Sequence, residues 1–389
     1  MPERADRELD LVVLGATGFT GRLTAAYLAR HAPADLRWAL AGRNEGRLAA
    51  VRDGLPTGSA AAPELVVADS SDAASLRAMA ERTRLVLTTV GPFLRYGEPL
   101  VAACAAAGTD YVDSTGEPEF VDDVWLRHHA AAEASGARVV HACGFDSIPH
   151  DLGVRFAVRQ LPDDVPIRAR GVVRAAASSS SGTLNSALEQ FARARTMSRT
   201  HAERRKAEGR PEGRRVRGSA GKPHRDPVLG YWLLPLPTID PMVVVRSAAA
   251  DPAYGPDFTY SHYAGTKTLR YAAGGAVGVS ALAAAAQVGP LRRALQRKVG
   301  EGQGPDERRR ERSWFTVDVV AEGGGRTVHA RVSGGDPGYT ETATMLAESA
   351  LCLLLDDNPS TAGMVTTATA MGDHLTGRLQ QAGIRFELL

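Results

Sequence analysis

The chain has 389 residues, of which 44% are hydrophobic and 23% charged, which is typical of a globular protein large enough for two domains. Lys and Arg (46) nearly balance Asp and Glu (44), and a net charge of +2 excludes a global bias toward nucleic acid. Cys104, Cys143 and Cys352 are isolated and lack metal-ligand spacing, so we predict a reduced, cytoplasmic protein without a metal site. The charged start, residues 1–10, predicts no signal peptide.

The first predicted element is a buried strand, Leu9–Leu14, followed by a glycine turn and a helix to about Arg30. Three glycines recur at a spacing of three: the first allows a tight turn, the second a close ligand and the third close helix packing. The helix N-terminus attracts phosphate. This unit predicts a dinucleotide site, and a plain structural turn is the alternative. The predicted contacts are Gly15, Ala16, Thr17, Gly18, Phe19, Thr20 and Gly21.

Strand and helix patterns then alternate up to residue 150, as a parallel sheet with crossover helices requires. Further strands are predicted at 36–42, 64–69, 84–90, 110–115 and 137–143, with helices at 45–55, 72–82, 97–108 and about 121–135. Six strands are typical of a doubly wound nucleotide-binding domain. We therefore predict an α/β fold with a Rossmann-type parallel sheet over residues 1–150.

The rhythm changes after about Gly144. Strands are predicted at 167–176, 241–249 and 257–265, and a hairpin over 312–334 turns at residues 323–325. These patterns predict an α+β substrate domain over 151–335 with a mixed or antiparallel sheet and a basic insert at about 197–226. The tail, 336–389, is predicted to form helices at 339–357 and about 366–382 that pack back on the nucleotide domain.

The end of the second strand distinguishes NAD from NADP. An acid there binds the ribose hydroxyl, whereas an arginine accepts the 2′-phosphate. Here Arg43 and Asn44 occupy that position and no acid does, which favours NADP over NAD and over an ordinary exposed loop. Asp69, at the end of the third strand, is predicted either to bind the adenine amine or to cap the next helix.

The end of the fourth strand also faces the predicted ligand crevice. Val90, Gly91 and Pro92 are predicted cofactor contacts, because a glycine there admits ribose or pyrophosphate to the backbone. Phe93 and Tyr96 are predicted to wall the nicotinamide, and packing within the loop is the alternative.

Two further loops at the carboxyl ends of strands carry polar clusters. The first contains Asp113, and the second contains Asp146, Ser147 and His150. His150 is a candidate proton donor, and Asp113 or Asp146 could orient it or a water molecule. The alternative for Asp146 and Ser147 is a turn or a helix cap.

A tyrosine–lysine pair, Tyr263 and Lys267, has the spacing found in short-chain dehydrogenases. It follows a strand pattern in the second domain rather than a helix in the nucleotide domain, so we interpret Tyr263 as a candidate wall of the substrate pocket. Tyr96 and Asp113 are the other candidate substrate contacts.

Together, the segments "GATGFTGRL", "AGRN", "VGPFLRYGEPLVAACAAAGTDYVDSTGE" and "CGFDSIPHDLG" resemble the saccharopine dehydrogenase-like oxidoreductases, closest to the actinobacterial trans-acting enoyl reductases. The later segments "SSSSGTLNSALE", "GGDPGYTETATMLAESALCLLL" and "AGMVTTATAMGDHLTGRLQQAGIRFELL" are similar to the same family. The resemblance implies an NADP-binding Rossmann domain and the delivery of hydride to a C=C bond. It carries the NADP role to Gly15, Gly18, Gly21, Arg43, Gly91 and Pro92.

Two segments indicate partners. Residues 271–289 carry no charge and precede a basic stretch, which leaves three interpretations: a buried helix, a lid over a greasy pocket, or an interfacial membrane contact. The basic insert is interpreted as a solvated, partly disordered loop, with docking of an acyl carrier protein or anionic lipid as the alternative. It has almost no aromatic residue, which argues against nucleic acid.

The sequence thus predicts an NADPH-dependent reductase that reduces an enoyl C=C bond in an apolar lipid, polyketide or related secondary-metabolite intermediate, free or carrier-bound, held in a crevice between the domains. The alternatives are C=N or C=O reduction and a non-catalytic nucleotide-binding protein of lipid surfaces. A cytoplasmic location follows, with peripheral membrane contact and a homodimer left open.

Overall fold

The computed structural model describes residues 6–176, 188–299 and 304–389, without the side chains of residues 272, 273, 276, 279, 280 and 296–299. The segment "SSSSGTLNSALE" of the family resemblance lies almost wholly outside the described residues. The chain folds as two compact units, one formed by Met1–Phe145 and Gly338–Ala382 and the other by Asp146–Pro337 and Gly383–Leu389. The predicted domain boundaries, at residues 150 and 335, lie close to the points where the chain passes from one unit to the other, after Phe145 and after Pro337.

The described residues of the two units form fifteen strands. They are β1 (Leu9–Leu14), β2 (Trp38–Gly42), β3 (Glu64–Val67), β4 (Thr83–Thr88), β5 (Asp110–Asp113), β6 (Arg138–Val140), β7 (Ile167–Ala176), β8 (Arg215–Ser219), β9 (His224–Arg225), β10 (Trp232–Pro235), β11 (Asp257–Thr266), β12 (Trp314–Gly323), β13 (Arg326–Gly334), β14 (Gly363–Val365) and β15 (Arg385–Leu388).

The α-helices of the described residues are numbered in the same way. They are α1 (Phe19–His31), α2 (Glu45–Asp53), α3 (Ala73–Glu81), α4 (Phe93–Tyr96), α5 (Glu98–Ala107), α6 (Pro118–Ser135), α7 (Ile148–Val158), α8 (Ala194–Glu208), α9 (Asp240–Ala250), α10 (Leu269–Gln287), α11 (Gly289–Val299), α12 (Glu307–Glu311), α13 (Thr340–Leu355), α14 (Thr367–Ala370) and α15 (Gly372–Gln381). None of them is long and apolar enough to cross a bilayer.

The first unit is built on a parallel sheet with the strand order β14-β6-β5-β4-β1-β2-β3. This is the doubly wound Rossmann order with one strand added, and the α/β prediction is confirmed. Every residue of β1 and β2 is buried, as a sheet covered by helices on both faces requires. The seventh strand, β14, comes from the tail, where the sequence analysis predicts no strand. It is only three residues long and pairs with β6.

The second unit is built on a mixed sheet with the order β15-β13-β12-β7-β11-β10-β9, and β8 also pairs with β11. The β7–β11 and β8–β11 pairs are parallel, whereas β12 and β13 form the antiparallel hairpin predicted from the sequence. Gly324 and Gly325 take positive φ angles of 58° and 73° in its turn, a conformation that glycine adopts without strain.

The strand predicted at 241–249 is wrong, because these residues form helix α9. Pro241 occupies the first turn, where its missing N–H costs no hydrogen bond. The buried residues Asp240, Val243, Val244, Ser247 and Ala248 recur at helical spacing. The run of three valines is typical of a strand, but the buried residues recur at the spacing of a helix.

The prediction of a loop for the basic insert is also wrong over most of its length. Residues 194–208 form α8, and two short strands, β8 and β9, follow. Ion pairs one helical turn apart, including Arg199 with Glu203 and Arg204 with Glu208, support α8. The insert is therefore part of the second unit's fold.

Helix α10 corrects the interpretation of residues 271–289 as a buried helix. Among its described side chains only Ala286 is buried, whereas Tyr271 and Val277 are each 69% exposed. Alanine and glycine supply too little apolar area to form a wide stripe that a core would bury.

The tail returns to the first unit, where α13 packs against α1. The Phe19 ring meets Tyr339 edge-on at 4.8 Å, and the Tyr27 hydroxyl donates to Glu348 at 2.7 Å. Arg378 of α15 donates to both oxygens of Asp356, at 2.6 and 2.7 Å, and to Glu348 at 3.2 Å. One guanidinium thereby ties α15 to α13 and to the loop that follows it.

Replacing Arg378 with methionine is expected to lower the free energy of unfolding by about 2 kcal/mol at pH 7, because buried Glu348 loses a charged donor. The Arg378 guanidinium holds the pKa of Asp356 below 3.8. This part of the stability is present above pH 3.8 and is lost as pH falls through the folded-state pKa. Denaturant titrations should show the difference from wild type narrowing below about pH 4. An equal loss from Arg77→Met, at an exposed site on α3, would contradict the assignment.

Candidate active site

The glycine turn joins β1 to α1. Gly15 has a φ of +88°, and a Cβ there would lie 2.8 Å from the Thr89 hydroxyl oxygen and from a Val90 methyl. A Cβ on Gly21 would overlap the Gly15 carbonyl oxygen. Gly18 is exposed, and a Cβ on it would meet only the Gly15 carbonyl oxygen, at 3.3 Å. Gly15 thus forms a left-handed turn and Gly21 allows α1 to pack closely on it, as predicted, whereas the approach of a ligand to Gly18 stays a prediction.

The N-terminus of α1 is shaped to receive an anion. Gly18 is its N-cap, no side chain caps it and no acid lies in the first turn, so this end of the helix suits an incoming negative charge. Ala16 is buried, whereas Thr17, Phe19 and Thr20 are half-buried around the turn. The Thr17 carbonyl accepts a hydrogen bond from Arg22 at 3.1 Å. This cradle fits the pyrophosphate of a dinucleotide.

The residues predicted to favour NADP over NAD directly follow strand β2. Arg43 and Asn44 are exposed, and the Asn44 side chain accepts from the Arg47 amide at 2.9 Å, which caps α2. The amide and hydroxyl of Ser71, followed by the Arg43 charge, hold the pKa of Asp69 below its usual value. Arg43 thus acts on the end of β3 from an open site that suits a 2′-phosphate.

The suggestion that Asp69 caps the following helix is wrong. Asp72 is the N-cap of α3 and accepts from the Ala74 amide. Asp69 instead accepts from the Ser71 amide at 2.9 Å and from its hydroxyl at 2.8 Å, closing the turn after β3. Its adenine contact stays a prediction.

Replacing Arg43 with alanine is expected to weaken NADPH binding by about 10- to 100-fold and to leave NADH binding unchanged, because only NADPH carries the 2′-phosphate. Titrations that follow nicotinamide fluorescence with both cofactors would measure the effect. Arg77→Ala makes the same chemical change at an exposed site on α3 and serves as the control. An equal loss for the two cofactors would remove Arg43 from the phosphate site.

The end of β4 presents two kinds of residue. Gly91 is exposed, with Val90 and Pro92 half-buried beside it, as predicted for a backbone that a ligand approaches. Phe93 is buried and packs against Phe120 with ring centroids 5.8 Å apart, which favours the loop-packing alternative for it.

Tyr96 is 41% exposed at the end of α4, so its ring remains available to a ligand. Glu117 holds α4 in place by accepting from the Phe93 and Leu94 amides at 3.2 and 2.9 Å. The helix that carries Tyr96 is therefore fixed to the loop after β5.

Asp113, a candidate substrate contact, is fully buried and engaged in the protein's own structure. It accepts from the Tyr111 hydroxyl at 2.8 Å, the Thr115 amide at 3.0 Å and the Ala142 amide at 2.9 Å. Its other neighbour is His141 Nδ1 at 2.7 Å. With four partners, the carboxylate locks the ends of β5 and β6 together, which is a positioning role.

His141 is a residue that the sequence analysis overlooks. Asp113 accepts from its Nδ1, which leaves Nε2 without the proton in the neutral ring, and Nε2 is buried without a hydrogen-bond partner. The Tyr111 and Phe120 rings contact it edge-on. Its place directly after strand β6, two residues before "CGFDS", is the signal that could have found it.

In the second unit, Asp146 and Ser147 precede α7. Burial raises the pKa of Asp146 to about 6. Ser147 is the N-cap by position, but its hydroxyl makes no cap bond, and its Oγ is buried without a partner. The cap interpretation of Ser147 is therefore wrong as to its side chain. The contact of these two residues with substrate or cofactor stays a prediction.

His150 lies in the first turn of α7 within a buried polar cluster. Its Nδ1 is 3.2 Å from the Tyr260 hydroxyl, and His262 Nδ1 is also 3.2 Å from that oxygen. His150 Nε2 lies 3.8 Å from Asp240 Oδ1, and His262 Nε2 lies 3.6 Å from Asp240 Oδ2. We call His150, Asp240, Tyr260 and His262 the His–Asp cluster.

Burial governs the charges of the His–Asp cluster. It lowers the pKa of His150 well below its usual value and that of His262 to about 3, so both rings are neutral at pH 7. Burial also raises the pKa of Asp240 to about 8. The Thr238 hydroxyl, which donates to Asp240 at 2.5 Å, acts in the opposite direction and lowers this pKa. His150 is thus not a ready imidazolium acid, contrary to the simplest form of the prediction.

Tyr263 is buried in an apolar cluster with Val172 and Leu233, and its ring meets His224 edge-on at 5.4 Å. It lies on β11 and not on a helix, which agrees with rejecting the short-chain dehydrogenase pair. In the second unit it acts first as a core residue, and its contact with substrate stays a prediction.

Comparison with known proteins identifies the lineage. A Mycobacterium tuberculosis protein provisionally named a trans-acting enoyl reductase is 38% identical over 98% of this chain and 97% of its own length. The trans-acting enoyl reductase of Mycobacterium ulcerans is 35% identical over the same shares. The chain belongs to this family. Residues 11–140 match the family model of the saccharopine dehydrogenase NADP-binding domain.

A solved structure shares the fold of this chain. The apo saccharopine dehydrogenase (L-Glu forming) of Saccharomyces cerevisiae matches with a TM-score of 0.56 over 98% of this chain and 100% of its own, at 12% identity. The family member described here is an NADP-dependent oxidoreductase, and its cofactor is NADP(H). The glycine turn, the α1 N-terminus and Arg43 are the residues that fit this cofactor.

Proposed function

We propose that this protein is an NADPH-dependent enoyl reductase that reduces a C=C bond conjugated to a carbonyl in an apolar acyl intermediate of lipid, polyketide or related secondary metabolism. The observation that carries the proposal is the near-full-length similarity to two mycobacterial relatives with the enoyl reductase name. A reductive NADP site, with Arg43 in place of the acid that favours NAD, supports it. Reduction of C=N or C=O is the alternative.

When bound, the cofactor supplies a hydride, which this reaction delivers to the β-carbon of the substrate. The chain's own residues bind and protonate. The α1 amides would hold the pyrophosphate of the cofactor, and Arg43 would hold its 2′-phosphate. The electron pair of the C=C bond ends at the α-carbon, which must take up a proton. Asp146, with its pKa of about 6, is the proton donor that we propose.

Deuterium transfer tests the proposed bond directly. The protein is incubated with NADPH deuterated at C4, in separate pro-R and pro-S samples, and with an α,β-unsaturated acyl thioester, an imine or a ketone of matched chain length. One of the two samples should place deuterium on the β-carbon of a saturated thioester. Deuterium appearing only on a carbon bonded to nitrogen or oxygen would overturn the enoyl assignment in favour of the alternative.

We further propose that α10 and α11 contact an anionic lipid surface, where apolar substrates partition. Leu269, Tyr271 and Val277 are 56%, 69% and 69% exposed on α10, and Leu291 is 46% exposed on α11. Large exposed apolar side chains next to a helix with the sequence "GPLRRALQRKV" are the pattern of interfacial binding. This arrangement favours a membrane surface over an acyl carrier protein, which offers no apolar plane.

Vesicle sedimentation tests this contact. Wild type should sediment with vesicles containing phosphatidylglycerol and remain free with pure phosphatidylcholine. Val277→Asp should reduce sedimentation several-fold by placing a charge in the interface. Val67→Asp makes the same change at an exposed valine of the first unit and should have no effect. If both variants sediment like wild type, α10 is not the contact and the lid interpretation is favoured.

A further inference from the structure

The His–Asp cluster brings three possible metal ligands together in the second unit. His150 comes from α7, Asp240 from the first turn of α9 and His262 from β11. The three residues are 2%, 5% and 3% exposed, and one ligand atom from each lies within 4.8 Å of the others. Two imidazoles and one carboxylate form a donor set found in zinc and non-haem iron sites.

The distances between Asp240 and the two histidines are longer than those of direct hydrogen bonds and leave space for an ion between the side chains. The two contacts between Nε2 and Asp240, at 3.8 and 3.6 Å, exceed hydrogen-bond range. Ligands held at 2.0–2.1 Å by a tetrahedral zinc ion lie about 3.4 Å apart. One ligand atom from each residue lies within 4.8 Å of the others, so both histidines and Asp240 would move inward to bind one ion.

A hydrogen-bonding group that the protein leaves unsatisfied points to the same place. His262 Nε2 is buried and has no hydrogen-bond partner, and the residue as a whole is only 3% exposed. Leaving such an atom unpaired in a core costs on the order of 1–3 kcal/mol. A metal ion would use this lone pair, whereas Asp240 at 3.6 Å is too far away to do so.

Tyr260 orients both rings from the opposite side. Its hydroxyl oxygen lies 3.2 Å from Nδ1 of each histidine and can accept from both N–H groups at once. With Nδ1 protonated on both rings, both Nε2 atoms are free to bind metal. A hydrogen-bond acceptor behind each ligating histidine is the usual outer shell of a metal site. Thr238 plays the same part for the Asp240 carboxylate, to which it donates at 2.5 Å.

The neighbouring strand leaves room for this arrangement. Gly171 of β7 pairs directly with His262, and a Cβ on Gly171 would overlap the Tyr260 hydroxyl and lie 2.7 Å from His150 Nδ1. Any larger residue would therefore displace the group that orients the histidines. A glycine in the middle of a buried strand lacks a side chain to pack, and close approach by other groups explains it here.

From these observations we propose that His150, Asp240 and His262 bind one divalent transition-metal ion, with Zn²⁺ as the expected ion, and that Tyr260 orients the two histidines. Three protein ligands leave one position of a tetrahedral ion for water or another oxygen ligand. The site lies wholly in the second unit and does not depend on the proposed enoyl specificity.

Metal binding is tested on the full-length protein, loaded with Co²⁺ or Zn²⁺ after removal of metal by a chelator. We expect one equivalent of Co²⁺ with visible d–d bands, and X-ray absorption at the zinc edge should give two imidazoles and one carboxylate at 2.0–2.2 Å. His262→Gln and Asp240→Asn should weaken binding by more than about 100-fold, and Tyr260→Phe by about 10- to 100-fold.

His329→Gln is the matched control, because His329 also contacts an aspartate, Asp318 at 2.8 Å, but without a third ligand. It should retain full binding. Zinc absorption spectra of wild type decide the outcome even if a ligand variant fails to fold. Absence of bound metal in wild type, sulfur or water-only coordination, or equal loss in His329→Gln would overturn the proposal and leave the cluster as a hydrogen-bonded core network.

Discussion

Replacing Gly21 with alanine is expected to lower NADPH affinity by at least about 100-fold, the scale of effect that a displacement of about 1 Å has on a bound group. The added Cβ would overlap the Gly15 carbonyl oxygen and would lie 2.9 Å from Gly15 C and 3.0 Å from Ala16 Cα. All three atoms belong to backbone, so no side chain can rotate to relieve the overlap. Helix α1 must move away from the turn, and its amides then leave the position that we expect to receive the pyrophosphate.

Isothermal titration with NADPH would measure this loss, and circular dichroism would show whether the variant still folds. Gly46→Ala adds the same methyl group on α2, where the nearest atom, Asn44 Oδ1, is 3.5 Å away, and should bind NADPH normally. Arg43→Ala provides a second comparison, because it should discriminate between the cofactors whereas Gly21→Ala should weaken both. A folded Gly21→Ala variant with wild-type affinity would show that the turn does not receive the pyrophosphate.

The first unit could be predicted because its signals are local. Buried strands of β-branched residues, helices of about ten residues and three glycines at fixed spacing each limit the chain within a short window. The tail strand β14 was beyond such reasoning, since three residues carry no period and it is the pairing with β6 that creates the strand.

The second unit was less predictable because tertiary contacts override local preference. The valines of α9 favour a strand, yet α7 and β11 bury one helical face of it. That misassignment hid Asp240, which stands before Pro241 at the start of the helix. Tyr260 and His262 alternate on one strand and therefore share a face, but only the fold brings His150 to them.

The fold separates the predicted site residues into side chains that the protein itself contacts and side chains that stay open to a ligand. Asp113 contacts His141, and Phe93 packs against Phe120. Neither contact could be predicted from a short stretch of sequence. Arg43 and Gly18 stay exposed, because the ends of parallel strands and the helix N-termini beside them form an open edge. The exposed loop ends that could receive a cofactor were thus easier to predict than the buried contacts of Asp113 and Phe93.

Replacing Asp146 with asparagine is expected to lower kcat by about 100-fold with little change in KM, the effect of losing a positioned proton donor. Burial raises the pKa of Asp146 to about 6. The protonated carboxyl is the donor, so it is available below about pH 6 and is lost as pH rises through that value. Wild-type kcat should therefore fall about tenfold per pH unit above pH 6.

The decisive readout is the shape of the pH profile, because a structural role for Asp146 would lower activity without removing the alkaline limb. The side-chain amide that replaces the carboxyl cannot titrate, so the variant's residual kcat should be flat from about pH 6 to 8. Asp163→Asn makes the same change at an exposed acid of the second unit and should keep both the rate and the profile of wild type. An alkaline limb that persists in Asp146→Asn would contradict the assignment of the proton donor to Asp146.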